Sequence, residues 1–291
     1  MMESRLEIKN RIKSVSDTRQ ITKAMYLISI SKIKKALDRY EANSAYFQKV
    51  RLTLKHILLQ TQNIEHPFLE QRIEGRAAYI VIAGDKGLAG GYNHNVLNLA
   101  YQQIKDKKEK YIFTVGQIAR EFFSRKGFMV DVEFLHIAQN PSLYNARLIA
   151  HDIIDLYKNN MMDEVYVIYT HMASSIKHEP KVIKLLPVEL SDFDDVQLDE
   201  NLKSDIIYEP SGIVVFDMLI PQYIIGLIYA TLVQSYASEH SARMHAMDSA
   251  TRNADKMIAG LKMQYNRARQ SAITQEISEI IGGADALEDL S

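Results

Sequence analysis

The sequence predicts an α/β domain carried between two long terminal helices that pair with each other lengthwise. Three observations lead to this. Residues 3–60 contain neither proline nor glycine, apolar residues recur at heptad spacing from Ala230 onward, and the middle of the chain alternates short apolar runs with helical stretches.

In the first segment Lys, Arg, Glu, Ala, Leu and Ile dominate, a composition that favours one continuous helix. Ile8, Ile12 and Val15 fall at 4,3 spacing, and Ile21, Met25 and Ile28 repeat it beyond the polar Asp17-Thr18-Arg19-Gln20. The stripe is narrow, so the helix needs a partner along its length; unbroken, it measures on the order of 80 Å.

At the other end the heptad lands on Val233, Ala237, His240, Met244, Met247, Thr251, Ala254, Ile258, Leu261, Tyr265, Ala268 and Ala272. It then slips by one residue and resumes at Ile273, Ile277, Ile280, Ala284 and Leu287. Small and flexible seam residues bury little area each, so the coil is held along its whole length. The two helices are expected to form an antiparallel coiled coil.

Between them, residues 77–82, 111–115, 164–170 and 181–186 read as strands, and residues 95–105, 117–125 and 142–158 as helices. That alternation predicts an open, largely parallel sheet with helices on its faces, an α/β domain of Rossmann-like type. The expected divisions are 1–60 for the first helix, 75–190 for the α/β domain, 191–210 for an acidic linker and 211–291 for the last helix. The run Asp192-Phe193-Asp194-Asp195 reads as a solvated loop.

Residues 212–233 are apolar almost throughout and about long enough to span a bilayer. Asp217, Pro221 and Gln222 near the middle, and flanks without nearby Lys or Arg, favour a buried core helix instead. Pro221 is expected to start or kink this helix.

The 291 residues are 47% hydrophobic and 24% charged, an ordinary globular composition. The net charge of −1 hides an asymmetry: from Glu3 to Lys55 thirteen basic side chains face five acidic ones, whereas residues 189–209 carry eight acids against Lys203. No cysteine occurs, which excludes disulfides, thiolate metal sites and cysteine nucleophiles. MMESRLEIKNRIK lacks the apolar core of a signal peptide, so an intracellular chain is expected.

Gly84-Asp85-Lys86-Gly87-Leu88-Ala89-Gly90-Gly91-Tyr92-Asn93 follows a predicted strand and precedes a helix, the place where α/β proteins bind phosphates. It matches neither GxxxxGK[ST] nor GxGxxG. The preferred reading is a structural turn in which Gly84, Gly87, Gly90 and Gly91 permit positive φ and a close strand-to-helix connection, leaving Asp85 and Lys86 for a partner. No cofactor and no direct nucleotide are expected.

His240 and His245 are five apart, unlike an i, i+4 ligand pair, so no metal site is predicted, and His240 is read as a polar seam residue. No catalytic constellation emerges. The basic first helix lacks stacking aromatics before Tyr26, which argues against nucleic acid and for acidic loops of protein partners.

Three segments together resemble the gamma subunit of F-type ATP synthases, the central rotor stalk. They are Ile21-Thr22-Lys23-Ala24-Met25 with Ser31-Lys32, the glycine-rich turn, and Tyr265-Asn266-Arg267-Ala268-Arg269-Gln270 with Ile273-Thr274-Gln275-Glu276-Ile277 running on into Glu279-Ile280-Ile281-Gly282-Gly283-Ala284. The resemblance implies a non-catalytic subunit whose paired helices rotate inside the ring of alpha and beta subunits, with epsilon and the membrane c-ring as further partners. It implies a peripheral membrane protein on the cytoplasmic face of a bacterial membrane. By the same resemblance Met25 and Lys32 lie near partner loops, and Arg243, Arg269, Gln270, Thr274 and Glu276 contact the catalytic ring. Ala89 stands where the family often has cysteine, and Tyr26-Leu27-Ile28-Ser29-Ile30 departs from the usual run. The dithiol of chloroplast relatives cannot operate here. A coiled-coil scaffold and a nucleotide-dependent regulator using the glycine turn are the competing readings.

Overall fold

The computed structural model describes residues 5–60, 65–72, 75–197 and 206–288, with the side chains of 282–288 outside the description. Two compact units form: one from the described residues of Met1–Ile28 and Met244–Ser291, the other from Ser29–Arg243. Helices α1 (Arg5–Gln60) and α5 (Gly212–Glu288) each contribute to both.

In the larger unit, β1 (Ala77–Ile82), β2 (Lys110–Val115), β3 (Val132–Phe134), β4 (Glu164–Met172) and β5 (His178–Leu186) form one sheet in the order β3-β2-β1-β4-β5. The first four run parallel and β5 closes the edge antiparallel to β4. Every residue of β1 is buried, as a central parallel strand covered on both faces requires. Successive side chains point to opposite faces. Ala77, Tyr79 and Val81 therefore meet Val96, Leu97 and Ala100 of α2 (Tyr92–Ile104) and Phe123 of α3 (Gln117–Arg125). Ala78, Ile80 and Ile82 join Ile149, Ile153 and Tyr157 of α4 (Leu143–Lys158), with Leu54 and Ile57 of α1 and Ile220, Ile224 and Ile228 of α5. Ser142 starts α4 by accepting the Asn145 N–H at 3.1 Å.

The apolar stretch of residues 212–233 is thus a core helix of this unit. From Phe216 onward its apolar side chains apart from Met218 pack on the sheet, whereas Ile213, Val214 and Met218 stay exposed. Pro221 neither starts nor ends it; the helix begins at Gly212 and carries the proline inside.

The acidic run is not a solvated loop. Leu190–Phe193 forms a 3-10 turn closed by a capping box between Glu189 and Asp192. Phe193 is fully buried, with its ring centroid 5.2 Å from that of Tyr223. Arg51 binds both oxygens of Asp195, at 2.5 and 2.9 Å, and Lys55 Nζ donates to the Phe193 and Val196 carbonyls at 2.9 Å. Two basic side chains at the end of α1, Arg51 and Lys55, therefore hold this segment around an aromatic anchor. The predicted linker's residues 198–205 lie outside the described residues.

Asp163, 1% exposed, takes the backbone N–H, Nε and Nη2 of Arg76 at 2.9, 3.0 and 2.8 Å. These bonds to Arg76 hold its carboxyl below the usual carboxylate range. A depressed folded value means that stability is present above about pH 4 and is lost as pH falls through the lower folded value. Asp163→Asn is expected to cost about 2 kcal/mol at pH 7, with the difference from wild type shrinking on acidification below about pH 4. Urea unfolding at several pH values checks this; a difference that stays constant with pH would show that the charge of Asp163 is immaterial.

In the smaller unit, Thr22 and Thr251 share a buried hydroxyl hydrogen bond of 2.8 Å, and Arg19 Nε meets Asp255 at 2.5 Å. The helices are antiparallel, in a register that places Arg5 opposite about Ala268. Every predicted seam position from 233 to 272 is buried or half-buried. On α1 the outcome differs: the phase set by Ile8, Ile12 and Val15 continues through Arg19, Thr22, Tyr26 and Ser29, while Ile21 and Ile28 are 61% and 54% exposed. A threonine pair satisfying itself across the seam keeps the register that apolarity alone assigned elsewhere.

Candidate functional site: the glycine turn, its anchor and the helix tip

The turn between β1 and α2 is tied down residue by residue. Asn93 Oδ1 accepts the Gly84 N–H at 2.8 Å, Gly91 O accepts the Asn95 N–H at 2.9 Å, and Ala89 O accepts the Tyr92 N–H at 3.2 Å. Asp85 Oδ1 caps the start of α3 through the Gln117 N–H at 2.8 Å. Among the four glycines only Gly90 takes positive φ, while Leu88 adopts φ 61° without being glycine. Gly84 serves differently: an added Cβ would lie 3.0 Å from the Glu239 carboxyl carbon.

Glu239 is the centre of the arrangement and was not singled out by sequence reasoning. Its Oε1 lies 2.5 Å from Arg243 Nη2, which also donates to the Gly87 and Lys86 carbonyls at 3.0 and 3.3 Å. Arg243 Nη1 is 3.2 Å from His240 Nδ1. Glu239, His240 and Arg243 are all buried. Burial pushes the Glu239 carboxyl up, with Arg243 and Lys32 pulling the other way and Asp85 adding to the rise. Burial and then the Arg243 and Lys32 charges lower His240 to about 3, so its imidazole is neutral. The charges of Arg243, Asp85 and Lys32 thus act on one carboxylate from three separate parts of the sequence, and Arg243 ties that carboxylate to the Lys86 and Gly87 carbonyls. The available signal was the i, i+4 spacing of Glu239 and Arg243 on a helix otherwise lined with small residues.

The turn directs the Lys86 and Gly87 carbonyls toward the Arg243 guanidinium, and the N–H groups of Gly84 and Tyr92 are bonded within the turn. What the cluster does chemically is fix the turn against α5.

The remaining predicted residues lie elsewhere. Met25 is half-buried on α1, whereas Arg269, Gln270, Thr274 and Glu276 are exposed near the end of α5. Thr274 Oγ1 returns to the Gln270 carbonyl at 3.0 Å. Of the resumed heptad, Ile273, Ile277 and Ile280 are exposed, where α5 continues past the first described turn of α1, and the side chains of Ala284 and Leu287 lie outside the described residues.

A sequence model of the family described as ATP synthase matches residues 4–287. The ATP synthase gamma chain of Ruminiclostridium cellulolyticum is 49% identical, covering 99% of this chain and 100% of the relative. The chain belongs to the ATP synthase gamma chain family. The gamma chain of Acetivibrio thermocellus is 46% identical over 97% of this chain and 98% of its own length. Among solved structures, a chain of the OSCP/F1/c-ring assembly of Euglena gracilis mitochondrial ATP synthase superposes with a TM-score of 0.65. It is 16% identical and the match covers 96% of this chain and 93% of that one, which shows a shared fold. As a gamma chain, the protein is a component of the membrane-associated ATP synthase, its central-stalk subunit.

Proposed function

We propose that the chain is the rotor of an ATP synthase, turning inside the catalytic ring of alpha and beta subunits and carrying rotation to the membrane c-ring, with the epsilon subunit as a further partner. The chain itself hydrolyses nothing, binds no cofactor, and works at the cytoplasmic face of a bacterial membrane. An asymmetric shaft presents different side chains to each surrounding site as it turns, so coupling arises from differential contact.

The observation that supports this reading is the tip of α5. Ile277 and Ile280 are 51% and 72% exposed on a helix that has run beyond its intrachain partner, which leaves an apolar surface for another protein to cover. Arg269, Gln270, Thr274 and Glu276, exposed beside it, are the proposed ring contacts, and Met25 and Lys86 are proposed contacts elsewhere. Arg243, expected at the catalytic ring, is buried and would act through the turn that it holds, as would Asp85 at the start of α3, while Lys32 is a further proposed contact on α1.

Deleting residues 273–291 tests the assignment. The isolated chain is expected to keep its melting temperature within about 2 °C, because residues 273–281, the described side chains of this segment, are exposed and contribute little to stability. ATP-driven ion transport by the reconstituted complex is expected to drop severely. Unchanged transport with the truncated chain would remove the tip from the mechanism.

A further inference from the structure

β4 outruns its neighbour in the sheet. Its pairing with β1 ends at Ile168, so on that edge Thr170 and Met172 have backbone groups that no strand reaches. Helix α5 supplies the partners. The Thr170 N–H donates to Ser235 Oγ at 3.3 Å, Ser238 Oγ donates to the Thr170 carbonyl at 3.2 Å, and the Met172 N–H donates to Gln234 Oε1 at 3.0 Å. One turn further on, Ser241 Oγ donates to the Ser175 carbonyl in the β4–β5 hairpin at 2.6 Å.

These serines are fully buried, and Ser235 also meets the buried Tyr92 hydroxyl. Alanine is a better helix former than serine and fills nearly the same space. What the hydroxyls add is direction. The apolar part of α5, which packs on the sheet with Ile220, Ile224 and Ile228, is held by burial and close packing, which oppose any rotation large enough to carry these side chains out of the core. Apolar contacts are individually non-directional, so they set the exact angle of the helix less sharply than hydrogen bonds do. Hydrogen bonds weaken steeply as their angle departs from linear, so bonds to both the N–H and the carbonyl of Thr170 fix α5 in rotation and in register. On another face of the same segment, Arg243 grips the Gly87 and Lys86 carbonyls.

We infer that Ser235, Ser238 and Ser241, with Gln234, are the torque-bearing contacts of the chain: they lock α5 to the α/β domain so that neither turns without the other. This rests on the rotor reading above. The residues touch neither nucleotide nor transported ion, so they are positioning residues that act through Thr170 and the β4–β5 hairpin.

The test uses the catalytic ring assembled with the full chain and immobilised. Because the chain has no cysteine, a single Lys108→Cys in the exposed turn before β2 accepts a bead on the α/β domain without competing thiols. Torque against viscous drag and ATP hydrolysis are recorded together. In Ser235→Ala/Ser238→Ala/Ser241→Ala, hydrolysis is expected to persist while maximal torque on the bead falls about twofold or more, as directional bonds are lost without loss of apolar area. Ile153→Ala, a core change of comparable destabilisation in α4, is expected to leave torque per ATP at the wild-type level. Wild-type torque in the triple variant overturns the inference, as does an equal loss in Ile153→Ala, which would reduce the serines to ordinary stabilising residues. A wild-type bead that fails to turn while ATP is hydrolysed would instead overturn the rotor reading itself.

Discussion

Glu239→Ala is expected to destabilise the α/β unit by about 3–5 kcal/mol, the usual cost of removing one partner of a buried ion pair. Arg243 would be left buried, its guanidinium facing only the Lys86 and Gly87 carbonyls and a neutral imidazole. Lys32 raises the cost further, because its charge also acts on Glu239. The carboxylate additionally lies against Gly84, so the substitution opens space beneath the turn as well as unpairing a charge. Glu239→Gln keeps the shape and one acceptor and is expected to lose less. Urea unfolding followed by a signal from the α/β unit separates the two variants. A cost below about 1 kcal/mol for the alanine variant would mean that water replaces the carboxylate and that the cluster is not dry.

Gly116→Ala carries the second large effect. Gly116 sits between β2 and α3 at φ 95°, and an added Cβ would fall 2.3 Å from the Ala83 carbonyl oxygen and 3.1 Å from that of Gly84. Both obstacles are backbone, fixed by the sheet and by the glycine turn, so neither can move aside. A loss of about 3 kcal/mol or more is expected from the clash and the left-handed backbone together. Gly226→Ala is the informative contrast. Its Cβ would also meet an atom at 2.3 Å, but that atom belongs to the ring of Phe47. The ring can shift, and alanine in a helix regains about 1 kcal/mol over glycine, so the net loss should be clearly smaller. Thermal unfolding of the pair decides; equal losses would mean that Phe47 is as immobile as the backbone.

How far the fold was legible depends on what each segment packs against. The seam of α5 was readable because its partner is another helix, and helix pairing leaves a simple period in the sequence. The same logic misplaced Ile21 and Ile28, since it assumes that apolar means inward. In this coil the inward position is Thr22, satisfied by Thr251, and the isoleucines face out. The sheet was readable from β1, β2 and β4, whose runs are buried on both faces. β3 escaped because three residues, Val132-Glu133-Phe134, carry no period. The candidate site was half legible. Its glycine turn stood out by composition, but the serines of α5 did not, because a buried polar residue is recognisable only when its partner is known and theirs are backbone groups more than sixty residues away; Glu239 has its partner Arg243 four residues on, a spacing that a solvated helix face shows as readily.

The hydroxyl pair that sets the coil's register joins residues 229 positions apart. During synthesis α1 emerges first, with a stripe that has nothing to cover it until almost the whole chain has been made. Contacts so distant in sequence form slowly if the intervening chain must find them as a loose loop. The α/β unit shortens that search: once it has folded, the loop to be closed is no longer a flexible chain of that length. The coil is therefore a late product, and its closure reports that everything between its strands of helix has already been built.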